Sequence, residues 1–232
     1  MKSKLYRLAI IVVVSLTCTS RVYSQAGFQD LGFESAMIVP VSGDLYGRVE
    51  FTPAFPGWIG YVGTNVQTLA QYNNIFLDSS GIAIFDTNSF FEPIEGNFTA
   101  VLAAGLALGT SQPADTTLSQ TGFIPAGMQS LLFDALLEGD VGSFAVTING
   151  QMLSLTPLSI TPTHTLYGAN ISAWSDQTAT LAFTVFAEQP HVNNNYLYLD
   201  SIQFSPSPVP EPAFLSLFAL CGLFLSIRRW RN

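Results

Sequence analysis

Residues 144–150 constrain the fold more than any other stretch of the chain. Phe144, Val146 and Ile148 alternate with Ala145 and Thr147, and the run ends in Asn149-Gly150. A period of two puts one set of side chains on one face of an extended strand. Asn-Gly suits a two-residue type I′ hairpin turn, which needs positive φ at both positions. Met152, Leu153 and Leu155 follow on the return. Leu181, Phe183 and Val185 repeat the alternation around Ala182, Thr184 and Phe186. Runs bounded by Gly, Asn, Asp and Pro predict further strands over 28–38, 48–52, 59–63, 81–86, 116–124, 130–137, 164–173 and 194–205. Residues 98–108 are rich in Ala and open to a helical reading, but Gly105 and the preceding Gly96-Asn97 favour a buried strand. Residues 27–205 carry no helical stripe. Short strands at a spacing of about ten residues predict an all-β, antiparallel β-sandwich. A jelly roll is the simplest topology, and an immunoglobulin-like sandwich is the alternative. With 18 Phe, 8 Tyr and 3 Trp among 232 residues, the chain has the apolar area for one large β domain.

Charge is distributed unevenly. Lys2, Lys4, Arg7 and Arg21 lie at one end, and Arg228, Arg229 and Arg231 at the other. Residues 25–208 hold fifteen acids against the single base Arg48, and no lysine. Such a body repels phosphate backbones and anionic membrane surfaces and attracts divalent cations. It also lacks cysteine, since Cys18 and Cys221 both lie in the apolar ends. Disulfides, thiolate nucleophiles and Cys-based metal sites are therefore excluded from it.

The ends read as addresses. Lys2, Lys4 and Arg7 precede the apolar run Leu8–Leu16, and Val22-Tyr23-Ser24 supplies small residues beyond it. This is the layout of a secretory signal peptide over 1–24, with cleavage between Ser24 and Gln25. At the other end, residues 213–227 form a short, largely apolar stretch backed by Arg228, Arg229 and Arg231. That order predicts a transmembrane helix stopping on the cytoplasmic side. The expected organisation is a signal peptide (1–24), a β-sandwich domain (25–205) and a C-terminal segment (206–232).

Val209-Pro210-Glu211-Pro212, the apolar stretch behind it and the terminal arginines resemble the PEP-CTERM sorting signal of Gram-negative bacteria. The resemblance implies export and transient membrane insertion. It also implies processing by an exosortase-type membrane protease, then placement on the cell surface or in an extracellular polymer matrix. The body resembles the galactose-binding-like and carbohydrate-binding jelly-roll modules found on such proteins. The residues that carry this run from Leu31-Gly32-Phe33-Glu34 and Pro56-Gly57-Trp58, through Ile124-Pro125, Ser130–Phe133, Val146–Gly150 and Asn170–Trp174, to Tyr198–Phe204.

This second resemblance implies a structural Ca²⁺ held by Glu34 from the first strand and Asp200 from the last, together with backbone carbonyls. Calcium takes oxygen ligands and suits an acidic exported body. The residues around Asp200 carry a sign of their own. Leu197 and Leu199 share one parity, Ile202 and Phe204 the other. If all four face the core, a β-bulge must absorb one residue near Asp200-Ser201.

Aromatic side chains are the candidate ligand contacts, because sugar C–H faces stack on rings. Tyr196 and Tyr198 are the pair expected to be exposed, with Trp58 and Trp174 as further candidates. His164 and His191 are isolated and lack zinc-site spacing. Glu92 with Glu95, and Glu138 with Asp140, are the acid pairs available for glycoside hydrolysis, and both read as solvated loops. No Gly-x-Ser-x-Gly elbow or phosphate loop occurs. The expected function is that of a non-enzymatic exported surface or matrix protein binding extracellular polysaccharide weakly. The alternatives are a structural or adhesive protein contacting other proteins, and a secreted glycan hydrolase or lyase.

Overall fold

The computed structural model describes residues 27–75, 77–139, 143–187 and 195–209. The expected signal peptide with its Ser24–Gln25 junction lies outside them. So do Pro210, Glu211 and Pro212, the 213–227 stretch, Arg228, Arg229 and Arg231, and also Asp140 and His191. Among the described residues no helix is long and apolar enough to cross a membrane.

The described chain is mostly strand. In order it runs β1 (Val49–Glu50), α1 (Phe51–Ala54), β2 (Ile59–Val62), β3 (Asn65–Val66), β4 (Leu69–Tyr72), β5 (Gly81–Asp86), β6 (Phe98–Leu106), β7 (Pro113–Ala114) and β8 (Thr116–Ile124). It continues through β9 (Ser130–Glu138), β10 (Phe144–Ile148), β11 (Gln151–Met152), β12 (Thr156–Ile160), β13 (Thr165–Asn170), a 3-10 turn at Ser172–Trp174, β14 (Gln177–Val185) and β15 (Asn195–Ser205).

Two sheets form. One has the order β1-β4-β5-β6-β15-β9-β13-β12, with β7 attached to β6. The other has the order β11-β10-β14-β8-β2-β3. All named pairs are antiparallel except β4 with β5. The expected hairpin is present. Asn149 and Gly150 have φ of 50° and 78°, and Ile148 pairs with Gln151. Residues 98–106 are strand, buried along almost the whole length.

The inner faces of both sheets contribute to one core. Phe133 of β9 meets Phe183 of β14 at 5.2 Å between ring centroids, and Tyr167 of β13 at 5.4 Å. Leu102, Leu197 and Leu199 of the first sheet share that core with Leu118, Ile148 and Leu181 of the second. Burial of this apolar area is the main stabilising term, at roughly 25 cal/mol per Å².

Two of the expected strands fail. Residues 28–38 form turns, because Asp30 and Phe33 adopt left-handed φ of 47° and 59°. The Asp30 carboxylate accepts the Ser35 N–H at 2.8 Å, and the Phe33 ring plugs the core beside Phe55 and Trp58. In 48–52 only Val49–Glu50 is extended, and Phe51–Ala54 is a helical turn that buries Phe51 and Ala54. The short strands β3, β4, β7 and β12 fall outside the runs that the alternation predicts. Of these, β12 is an edge strand whose Pro157 lacks a ladder donor and coincides with a register shift.

Candidate functional site

The bulge inferred from the parity of the last strand lies where the four apolar residues require it. On β15 Asp200 stands opposite Asp134, but Gln203 stands opposite Leu132, so one extra residue is absorbed between them. Ser201 takes a φ of 50°. Leu197, Leu199 and Ile202 all reach the shared core, and Phe204 packs against it. The bulge re-aims residues 200 and 201 at one corner of the nine-stranded sheet.

Glu34 is brought to the same corner by the turn after Phe33. Its carboxylate is wrapped by the next segment. Oε1 accepts the backbone N–H groups of Asn97 at 2.8 Å and Phe98 at 3.1 Å, and Oε2 accepts the Asn97 side-chain amide at 2.8 Å. Gly96, with φ of 63°, is required here, since a Cβ would overlap the Glu34 carboxylate. Burial pushes the Glu34 pKa up, but the Asn97 and Phe98 donors outweigh it and hold the group below its usual range.

Asp200 is 1% exposed. Its Oδ2 accepts the Thr99 hydroxyl at 2.6 Å and the Glu95 N–H at 3.2 Å, and its Oδ1 accepts the Ser201 N–H at 2.7 Å. Ser201 Oγ donates in turn to the Glu95 carboxylate. Burial raises the Asp200 pKa to about 7 against these donors, and the nearby Glu34 charge adds to the rise.

Glu34, Glu95 and Asp200, with Gly32, Gly96 and Ser201, line a cavity of about 190 Å³. Among the described residues no basic side chain lines it. Among the described residues no three His, Cys, Asp or Glu side chains converge as a ready-made metal cage. The donor set is nevertheless all oxygen and acidic. Asp200 Oδ1 and Glu34 Oε2 each accept one hydrogen bond and keep further lone-pair capacity.

A wider groove of about 620 Å³ adjoins this cavity and shares Glu95 and Ser201 with it. Asp134, Ser159, His164 and Gln203 supply its other polar groups. His164 Nε2 lies 3.7 Å from Asp134 Oδ1. Burial raises the Asp134 pKa, His164 opposes the rise and Glu95 adds to it. Arg48 is bound elsewhere, with Nε donating to Asp44 at 2.8 Å.

The expected aromatic platform is not formed. Trp58 is 4% exposed, donates Nε1–H to the Asp30 carbonyl at 3.2 Å and packs on Phe33 and Phe183. Trp174 is half-buried against the core from its 3-10 turn. Tyr196 and Tyr198 do face away from Leu197 and Leu199, but Tyr198 is 4% exposed and Tyr196 is half-buried. Phe91 of the loop between β5 and β6 lies 5.5 Å from the Tyr198 ring, and Tyr196 packs against the same apolar cluster. Parity reports which face a side chain takes, not what lies over that face.

The sequence pattern puts Glu95 with Glu92 in a solvated loop and marks neither Asp134 nor His164 as a site. For Asp134 a signal was available: a lone acid interrupts the apolar run Leu131–Leu137.

No family model matches the chain, and no curated protein does. Among solved structures, the beta-glucosidase from Kluyveromyces marxianus in complex with glucose is similar over 77% of this chain, at 10% identity and a TM-score of 0.28. The match spans 18% of that enzyme's length. At that score the likeness carries no inference about fold or activity.

Proposed function

We propose that the described body is a jelly-roll module of an exported, non-enzymatic surface or matrix protein, stabilised by one structural Ca²⁺ and binding extracellular polysaccharide weakly. Residues 1–24 serve as its signal peptide. The 206–232 segment serves as a sorting signal of the PEP-CTERM type, handled by an exosortase-type protease in a Gram-negative bacterium.

The observation that carries this reading is the acid-lined cavity between the first described turn and the last strand. Glu34 and Asp200 would hold the ion, with Glu95 beside them. The ion would supply a positive charge that lets Asp200 ionise inside the fold and ties the Phe33 turn to the β15 bulge. Cations that bind the folded state and not the unfolded one raise its stability by mass action. The polysaccharide assignment rests on the open polar groove beside the cavity and on a body free of thiol, zinc-site and nucleophile-elbow patterns.

The test is melting of the full chain with calcium or chelator, alongside co-sedimentation with the producing cell's own extracellular polymer. A melting temperature several degrees higher in millimolar calcium, lost in Glu34→Gln, is the expected outcome. An unchanged melting temperature removes the ion. Absence from the polymer pellet removes the polysaccharide.

A further inference from the structure

We infer that the groove on the outer face of the nine-stranded sheet is a saccharide subsite for a glycan carrying protonated amino groups. The inference rests on the polysaccharide reading above and gives it a place and a chemistry.

The register draws the site. Ser159 of β12 stands opposite Leu166 of β13, Leu166 opposite Asp134 of β9, and Asp134 opposite Asp200 of β15. These four residues form one row across four adjacent strands, spanning about 14 Å at the usual strand spacing. One end of the row is the exposed sheet edge at β12. The other is the bulge, where Ser201 and Glu95 form the wall. A linear oligomer can therefore lie across the strands and leave over the open edge. The volume of about 620 Å³ falls within the usual range of small-molecule sites.

The chemistry selects the ligand. Leu166 gives an apolar patch on the floor for a sugar ring, and Ser159, Ser201 and Gln203 can hydrogen-bond hydroxyls. Asp134 is half-buried on the same floor and lies near the Glu95 charge. Among the described residues no lysine or arginine lines the groove, and the His164 imidazole sits 3.7 Å from Asp134. A uronic-acid polymer meets the like-charged Asp134 carboxylate on the floor. A neutral polymer covers Asp134 without neutralising it. An ammonium group on the sugar pairs with Asp134 and offsets the loss of water around it.

The experiment uses the full chain in a polyoxyethylene detergent, which has no sugar head group, with calcium present. Binding of a fully deacetylated β-1,4-glucosamine hexamer is compared with that of its fully N-acetylated counterpart and of a uronate oligomer. The expected result is an affinity for the amine form at least about tenfold above either of the others, weakening as salt rises. Asp134→Asn, and Ser159→Trp as a steric block from the exposed edge, should each lower it about tenfold with melting unchanged. Equal binding of the acetylated hexamer overturns the inference, as does wild-type affinity in both variants. If neutral glycans bind and the variants leave that binding intact, the polysaccharide reading survives and this subsite does not. If no glycan binds, both fail.

Discussion

The two sheets solve the same packing problem in opposite ways. The outer face of the six-stranded sheet is polar and makes its own cross-strand contacts. Thr117 and Thr184 are linked through their hydroxyls at 2.9 Å, and Thr121 and Thr180 at 2.7 Å. Its strands alternate buried and less buried positions, as in β14. In the nine-stranded sheet, β5 and β6 are buried along almost their whole length. There the outer face carries a second apolar cluster of Ala83, Phe85, Val101 and Tyr198, and the loop after β5 lies over it. A sheet that faces water on one side needs nothing more. A sheet that is apolar on both faces needs a cover, and the edge of that cover supplies Glu95 and Gly96 to the acidic cavity.

The comparison can be broken at its hinge, the core that both sheets share. Phe133→Ala removes a fully buried ring that touches Phe183 across the core, and should cost about 3–5 kcal/mol in denaturant unfolding. Loss of one sheet's signal alone would show that the sheets do not form one cooperative unit.

The next effect belongs to the covered side. The folded Asp200 pKa, raised to about 7 by burial, exceeds the ordinary 3.8. The folded state therefore binds more protons than the unfolded one between these values. Without calcium, the stabilisation is complete below about pH 4 and is lost as pH rises through about 7, up to roughly 4 kcal/mol in all. Asp200→Asn should flatten that slope, and calcium should oppose it by favouring the carboxylate. A wild-type profile that rises steadily from pH 4 to 7 in chelator would contradict the assignment.

The smallest effects separate the two outer faces. Phe91→Ala thins the cover over Phe85 and Tyr198 and should cost about 1–2 kcal/mol. Thr180→Val on the solvated face should change stability by about 0.5 kcal/mol or less. Equal costs would mean that the cover contributes nothing.

Much of the strand order was legible locally. The 144–150 alternation and turn, the extended reading of 98–106 and the bulge inferred from four apolar residues all rest on period-two geometry within single strands. The turn at 28–38 was not legible, because the left-handed Asp30 and Phe33 are stabilised by contacts with distant residues such as Trp58. The resemblance implies that Glu34 and Asp200 lie near each other, and they line one cavity. The places of Glu95, Asp134 and His164 beside them were not legible.

By itself the sequence determined an acidic, cysteine-free all-β body, where its strands alternate, and that one residue must be spare near Asp200. Only the tertiary structure decided that Trp58 and Tyr198 are covered and that four acids from distant segments share one corner. Alternation is a property of neighbouring residues along one strand. Exposure and charge proximity depend on which remote segment is laid over that strand, and no local pattern records it.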